Sequence, residues 1–128
     1  MIPDVPGADA FAAWFGHWPS FHDAEILELH LSRDSASWLK MHTWLMTGQV
    51  GADGYYVLDK HAVVTFHMEE VTDLELAGFS GQNVIFGVEV TRTENGYRLA
   101  LDPCFGLFGY LEAERMSIAL SPGQPEAV

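Results

Sequence analysis

The stretch FHDAEILELHL, residues 21–31, decides the fold class, because the chain changes there from a short helical pattern to a strand pattern. From Ala24 onward, apolar residues alternate with polar ones, and three leucines fall on one face of an extended chain: Leu27, Leu29 and Leu31. A period of two is typical of a strand with one buried face. We therefore predict that a β-sheet begins here.

A short amphipathic helix is predicted before this strand. Asp9 stands where a helix N-cap would, residues 10–15 follow, and Gly16 supplies a stop. Three aromatic residues lie at i, i+3 and i+4 and so share one face: Phe11, Trp14 and Phe15. We expect this face to cover the end of a sheet, and a partner-binding surface is the alternative.

The rest of the chain predicts further strands joined by turns. The turn GADG at residues 51–54 favours a hairpin, and Asn95-Gly96 is typical of a type I′ turn, which needs two positive φ angles. The strand segments are 37–50, 55–58 with 61–68 as a third strand or a bent pair, 71–76, 83–91, 97–101 and 111–120. Residues 103–109 are expected to form a loop, and residues 1–8 and 121–128 are expected to be irregular or frayed.

These elements predict a single α+β domain over residues 1–128, with a short N-terminal helix packed on a curved, mostly antiparallel sheet of about six strands. The alternation predicts a core that contains Leu27, Leu29, Leu31, Val64, Phe66, Val84, Phe86, Val88, Leu99 and Ile118.

The composition indicates a folded, acidic protein. Hydrophobic residues make up 48% of the 128 residues, which excludes disorder, and 18 acidic against 6 basic side chains give a formal net charge of −12. The basic residues are scattered, so no patch is available to bind nucleic acid. A basic protein partner is the natural complement of this charge.

The expected location is the cytoplasm. No apolar run approaches the roughly 20 residues of a membrane span, and Met1 is not followed by a leader pattern. The single cysteine, Cys104, excludes an intrachain disulfide, and we expect it to be a buried packing residue rather than a nucleophile.

The polar cluster in FHDAE, residues 21–25, admits two interpretations. Three titratable side chains crowd together there, and His22, Asp23 and Glu25 could serve as the working groups of a small metal-dependent or acid/base enzyme. We favour a structural role instead, in which His22 and Asp23 fix the corner between helix and strand, and Glu25 is paired or faces solvent.

Other chemistry is weakly supported. The six histidines have no recognised ligand spacing, although His61 and His67 could meet His42 across a hairpin, so we predict no metal site and no cofactor. No serine stands in a nucleophile motif. A pair of carboxylates is available for acid/base work, but acidic side chains on strand faces are usually solvated. The aromatic residues near Phe108 are an alternative binding patch.

Two phrases resemble a bacterial immunity-protein family, the immunity protein 50-like proteins that are encoded beside polymorphic toxins. The phrases are WPSFHDAEI at residues 18–26, whose motif residues are Trp18, Phe21, His22, Asp23 and Glu25, and DLELAGFSGQNVIFGVEV at residues 73–90. A segment from Gly106 to Gly109 and a closing strand follow, so the resemblance covers roughly residues 11–120.

The resemblance implies a role without implying a mechanism. It implies a protein that binds and neutralises a cognate toxin and is not an enzyme. A dense acidic segment supplies the candidate contacts with that basic partner: Glu69, Glu70, Asp73 and Glu75. A homodimeric accessory protein stays open as an alternative.

Overall fold

The protein consists of a helix followed by a closed six-stranded sheet. A computed structural model describes residues 2–125, except for the side chains of residues 46–48 and 56–58. The elements are α1 (Ala8–Phe15), β1 (Glu25–His30), β2 (Ser37–Val50), β3 (Tyr56–Ala77), β4 (Val84–Thr93), β5 (Gly96–Phe105) and β6 (Phe108–Pro122). The strands are antiparallel and run around the sheet in the order β1-β2-β3-β6-β5-β4. The predicted α+β class, with one helix and about six antiparallel strands, is confirmed.

The helix starts two residues earlier than predicted. Gly7 occupies the N-cap position with a φ of 92°, and Asp9 lies in the first turn, so the prediction that Asp9 caps the helix was wrong. The predicted stop is confirmed, because Gly16 adopts a φ of 108° and its N–H donates to the carbonyl of Ala12 at 2.8 Å.

The aromatic face of α1 packs into the core. Phe11 and Phe15 are almost fully buried, while Trp14 is half-buried against them. At the C-terminal end of the helix, Lys60 of β3 donates through Nζ to the carbonyl oxygens of Trp14 at 3.3 Å and Phe15 at 3.1 Å. A lysine at this position satisfies helix carbonyls that have no partner within the helix.

The two predicted hairpins form, but one of them by a different turn. In the β2–β3 hairpin, the N–H of Gly51 donates to the carbonyl of Tyr55 at 2.8 Å. In the β4–β5 hairpin, Thr93 pairs with Gly96, and neither Asn95 nor Gly96 has a positive φ, so the type I′ prediction was wrong. Gly96 is required for another reason: a Cβ there would overlap the carbonyl oxygen of Ala113 on β6.

Strand β3 is one continuous strand of 22 residues, which pairs with β2 along its first half and with β6 along most of its length. The sequence suggested several shorter pieces in this region. Lys60 and Glu70 adopt left-handed backbone conformations, with φ angles of 49° and 55°, and so interrupt the extended conformation at two places. These residues interrupt the alternation without ending the strand.

The predicted core is correct at its centre and wrong at its edges. Four of the predicted residues lie in the core: Val64, Phe66 and Leu99 are fully buried, and Ile118 is 6% exposed. Three more are half-buried, Leu29 and Val88 against this core and also Val84. Three predicted core residues are exposed, at 38%, 45% and 46% respectively: Leu27, Leu31 and Phe86.

Register shifts explain two of the three errors, those at Leu27 and Phe86, whereas Leu31 lies beyond the end of β1. One lies between Ile26 and Glu28 in the β1–β2 pairing, and another lies between Ile85 and Gly87 in the β4–β5 pairing. A bulge changes which residues of a strand point inward. Ile26 and Ile85 therefore fill the core, and the neighbours at positions 27 and 86 face outward.

The segment predicted as a loop at residues 103–109 is mostly strand, because β5 continues to Phe105 and β6 begins at Phe108. Cys104 is exposed, which contradicts the prediction that it is buried. At the C-terminal end, β6 extends to Pro122, so residues 121 and 122 belong to a strand and the prediction that they are irregular or frayed was wrong; residues 126–128 lie outside the described residues. Within residues 2–125, no helix is long and apolar enough to cross a bilayer.

Candidate partner-binding surface

Two of the four acidic candidate residues surround one arginine. On β3, Glu69 and Glu70 are exposed, and their carboxylates lie 3.1 Å and 3.8 Å from the guanidinium of Arg115 on β6. Glu114 approaches the same guanidinium at 3.9 Å. Because Arg115 is one positive charge among three carboxylates, the local charge stays negative.

A polar depression lies beside this cluster. It has a volume of about 500 Å³ and is lined by Arg33, Asp34, Ser35, Ala36, Glu69, Glu70 and Arg115. The loop between β1 and β2 forms one wall, and the outward face of β3 and β6 forms the other. The depression is therefore a concave surface with mixed charge and an acidic excess.

The other two acidic candidates, Asp73 and Glu75, are exposed farther along β3. The hydroxyl of Tyr110 donates to a carboxylate oxygen of Asp73 at 2.9 Å, and this hydrogen bond is the main reason that the pKa of Tyr110 is raised. The guanidinium of Arg98 lies 3.8 Å from the centre of the Tyr110 ring and 3.6 Å from Glu112. A continuous row of polar side chains thus crosses β3, β6 and β5.

The FHDAE segment joins the two ends of the sheet through its backbone. The N–H of Asp23 donates to the carbonyl of Ile85 at 2.9 Å, and the N–H of Ile85 donates back to Ala24 at 3.0 Å. Phe21 and Asp23 have φ angles of 60° and 67°, which turn the chain from the helix into β1. This segment therefore lies at the seam where β1 meets β4.

The aromatic residues of the motif anchor that seam in the core. Phe21 is 1% exposed and packs against Phe66 with ring centres 6.2 Å apart. The half-buried Trp18 meets Phe21 edge-on at 5.5 Å and Phe11 at 5.7 Å. The same face of α1 completes this cluster.

The polar side chains of the motif do not form one group. His22 is exposed, and its Nδ1 lies 3.2 Å from a carboxylate oxygen of Asp23. Glu25 lies instead opposite His42 in the β1–β2 register. No contact among the described residues joins Glu25 to His22 or Asp23.

A residue that the sequence did not single out, Asn83, fixes the other side of the seam. It is 3% exposed, and its Oδ1 accepts hydrogen bonds from the N–H groups of Ser80 and Leu107, both at 3.0 Å. Its Nδ2 donates to the carbonyl of Ser80 at 2.8 Å, and its own carbonyl accepts the N–H of Ile26 at 2.8 Å. The only sequence signal was an asparagine two residues after a glycine, and both residue types are common in ordinary turns.

Two of the six histidines meet on the outside of the sheet. His42 Nε2 and His61 Nδ1 are 3.0 Å apart, whereas His67 lies farther along β3, opposite Trp38. Burial lowers the pKa of His42, His61 lowers it further, and the nearby Glu25 partly offsets both effects. Among the residues that the structure describes, no group of three or more His, Cys, Asp or Glu side chains is arranged to hold a metal ion.

The apolar residues near the β5–β6 turn differ in their exposure to solvent. Leu107 is 1% exposed, whereas Phe105 and Phe108 are 59% and 47% exposed. Phe79, in the loop before β4, is also 59% exposed. The turn is thus anchored by one buried residue and carries phenylalanines on its outer side.

Comparison with known proteins identifies the family. A family model described as Immunity protein 50 matches residues 7–119, which include α1, the FHDAE seam and the acidic segment of β3. No curated protein and no solved structure matches the chain. Immunity-protein families are in general non-catalytic, in agreement with the expectation that the chain is not an enzyme. Because the match spans most of the sequence, the chain belongs to the immunity protein 50 family and has a role in toxin immunity.

Proposed function

We propose that this protein binds a cognate bacterial toxin with a basic surface and neutralises it by forming a complex, without catalysis, in the cytoplasm. The observation that carries the proposal is the formal net charge of −12 in a member of an immunity-protein family. A strongly acidic protein attracts a basic partner over a distance and suppresses encounters with wrong partners. A basic surface is typical of enzymes that act on nucleic acid.

We propose that Glu69, Glu70, Asp73 and Glu75 contact the toxin. Their exposure on a single strand supports this role, because four carboxylates within seven residues can face one partner. Arg115 and Tyr110 hold three of these carboxylates in place, so less side-chain entropy is lost when a partner binds. The depression beside Glu69 and Glu70 offers room for a long basic side chain.

The test uses the product of the neighbouring gene, expressed in cells with and without this protein. We expect the neighbour alone to reduce survival, co-expression to restore it, and the purified proteins to form a complex whose association rate falls as salt rises. A neighbour that is harmless alone, or that never binds, would sink the proposal.

The contact surface is tested separately by charge neutralisation. The four-residue variant E69Q/E70Q/D73N/E75Q should slow association by about tenfold or more at low salt. The control, E89Q/D102N, removes two exposed charges from β4 and β5, which are separated from β3 by β6 in the sheet order, and its effect per charge removed is compared with that of the four-residue variant. If the complex forms but both variants associate at the wild-type rate, toxin binding stands and the acidic segment is not its contact surface.

A further inference from the structure

We propose that His42 and His61 form a binding site for a divalent transition-metal ion that prefers nitrogen ligands, the class represented by Cu²⁺ and Ni²⁺. The two imidazoles project from neighbouring antiparallel strands, β2 and β3, onto the outer face of the sheet. Their facing nitrogens, His42 Nε2 and His61 Nδ1, are 3.0 Å apart, and the rings are nearly parallel at an angle of 22°.

The distance between the two nitrogens suits a shared metal ion. At metal–nitrogen distances of about 2.0–2.1 Å, two nitrogens 3.0 Å apart subtend an angle of about 94° at the metal. A right angle between neighbouring ligands is typical of the square-planar and tetragonal sites of Cu²⁺ and Ni²⁺, whereas a tetrahedral site would need the nitrogens about 3.4 Å apart. The observed separation of 3.0 Å is closer to the value expected for the former geometry.

The protonation state of the pair also suits a metal. A hydrogen bond between two imidazoles requires one nitrogen to accept, so at least one lone pair already points into the gap between the rings. A metal ion bound at this angle would lie beside the line that joins the two nitrogens, and its binding would break the hydrogen bond between the rings.

Two further neighbours complete the surroundings. Glu25 of β1 lies opposite His42 in the strand register, and its negative charge would balance that of the cation. Trp44 packs against both rings, with centres 4.9 Å from His42 and 6.2 Å from His61. The protein supplies two imidazoles, and water fills the remaining positions.

The site has a structural consequence, because it would cross-link β2 and β3 beside an irregularity. The register of these strands shifts between Thr43 and Leu45, immediately after His42. A metal that binds the folded protein more tightly than the unfolded chain raises the free energy of unfolding. Metal occupancy should therefore stabilise this hairpin in particular.

The experiment titrates the chelator-treated full-length chain with CuCl₂ while tryptophan fluorescence and the binding heat are recorded. We expect one saturable site and strong quenching of tryptophan fluorescence, because Trp44 lies next to the bound paramagnetic ion. The electron paramagnetic resonance spectrum should show two imidazole nitrogen ligands. His42→Gln and His61→Gln should each weaken binding at least about tenfold. MgCl₂ should neither quench nor compete, because Mg²⁺ prefers oxygen ligands.

The matched control is His67→Gln, which removes a half-buried histidine from the outer face of the same strand but away from the pair. This variant should bind Cu²⁺ like the wild type, and circular dichroism confirms that all three variants are folded. Equal affinities in the wild type and the His42→Gln variant would overturn the proposal. So would several weak sites that are unchanged in all variants, which would indicate only attraction of cations to an acidic surface.

Discussion

At the scale of single residues, Asn83, which the sequence did not single out, forms hydrogen bonds to several separate segments of the chain. Asn83 holds the loop before β4 through Ser80 and the β5–β6 turn through Leu107, and its backbone carbonyl holds β1 through Ile26. The N–H of Leu107 is buried, so its only alternative to Asn83 is to lose a hydrogen bond. One amide thus links three separate segments of the chain.

Asn83→Ala should reduce the free energy of unfolding by about 2–3 kcal/mol, because it leaves the buried N–H of Leu107 without an acceptor. Asn83→Asp should cost less, since an oxygen remains to accept from Leu107 and Ser80. Urea denaturation of both variants measures the difference. The control is the exposed neighbour, Gln82→Ala, which should change stability by less than about 0.5 kcal/mol. If Asn83→Ala and Gln82→Ala are equally stable, the role assigned to Asn83 is wrong.

The sequence indicated where the corner between helix and strand lies, but not how it is held. Crowded polar residues at positions 22–25 suggested side chains that bind backbone, whereas the contacts are made by the backbone of Asp23 and Ala24 to Ile85. The partner strand is more than 60 residues away in sequence, and its register is unknown until the sheet closes. The meeting of His42 with His61 was a possibility that the sequence left open, because outward-facing residues of adjacent strands can meet across a hairpin.

At the scale of elements, alternation predicted that strands exist but not which face of each strand is buried. The leucine series that begins in β1 contains Leu27 and, one residue past the end of the strand, Leu31; both are exposed, while Ile26 occupies the core. A bulge exchanges the two faces, and nothing in a single sequence marks its position unless a glycine does so, as Gly87 does in β4. Strand ends were predicted best where a turn motif was strong, and β2 has the predicted bounds of residues 37–50.

The β5–β6 contact provides a test at this scale. Gly96→Ala should destabilise the protein by about 1–3 kcal/mol, because the added Cβ overlaps the carbonyl oxygen of Ala113 and must push β5 away from β6. Gly81→Ala is the matched control, since a Cβ there meets open space and the φ angle is not positive. Thermal and urea unfolding of both variants measure the effect. Equal stabilities would mean that the backbone relaxes without cost and that a glycine is not needed at position 96.

At the scale of the whole molecule, the dominant property is charge rather than shape. The described ion pairs involve seven of the 18 acidic side chains, and Arg115 alone lies against three of those seven. A folded chain with a net charge of −12 holds like charges closer together than the unfolded chain does, and this repulsion opposes folding. The family role gives a reason to keep this charge, because the same field attracts a basic partner.

Salt should therefore act on folding and on partner binding in opposite directions. Raising NaCl from about 0.02 M to about 0.3 M shortens the screening length from about 20 Å to about 6 Å, which should raise the free energy of unfolding in urea and slow association with the toxin. The variant E89Q/D102N, which removes two exposed charges at diagonal positions of β4 and β5, should be more stable than the wild type at low salt by about 0.5 kcal/mol and less sensitive to salt. Glu69→Gln should not gain in this way, because that carboxylate already pairs with Arg115 at 3.1 Å. If the stability of the wild type falls as salt rises, attraction between charged side chains outweighs their repulsion in the folded state. The net charge would then not oppose folding, and a role in partner binding would not be needed to explain it.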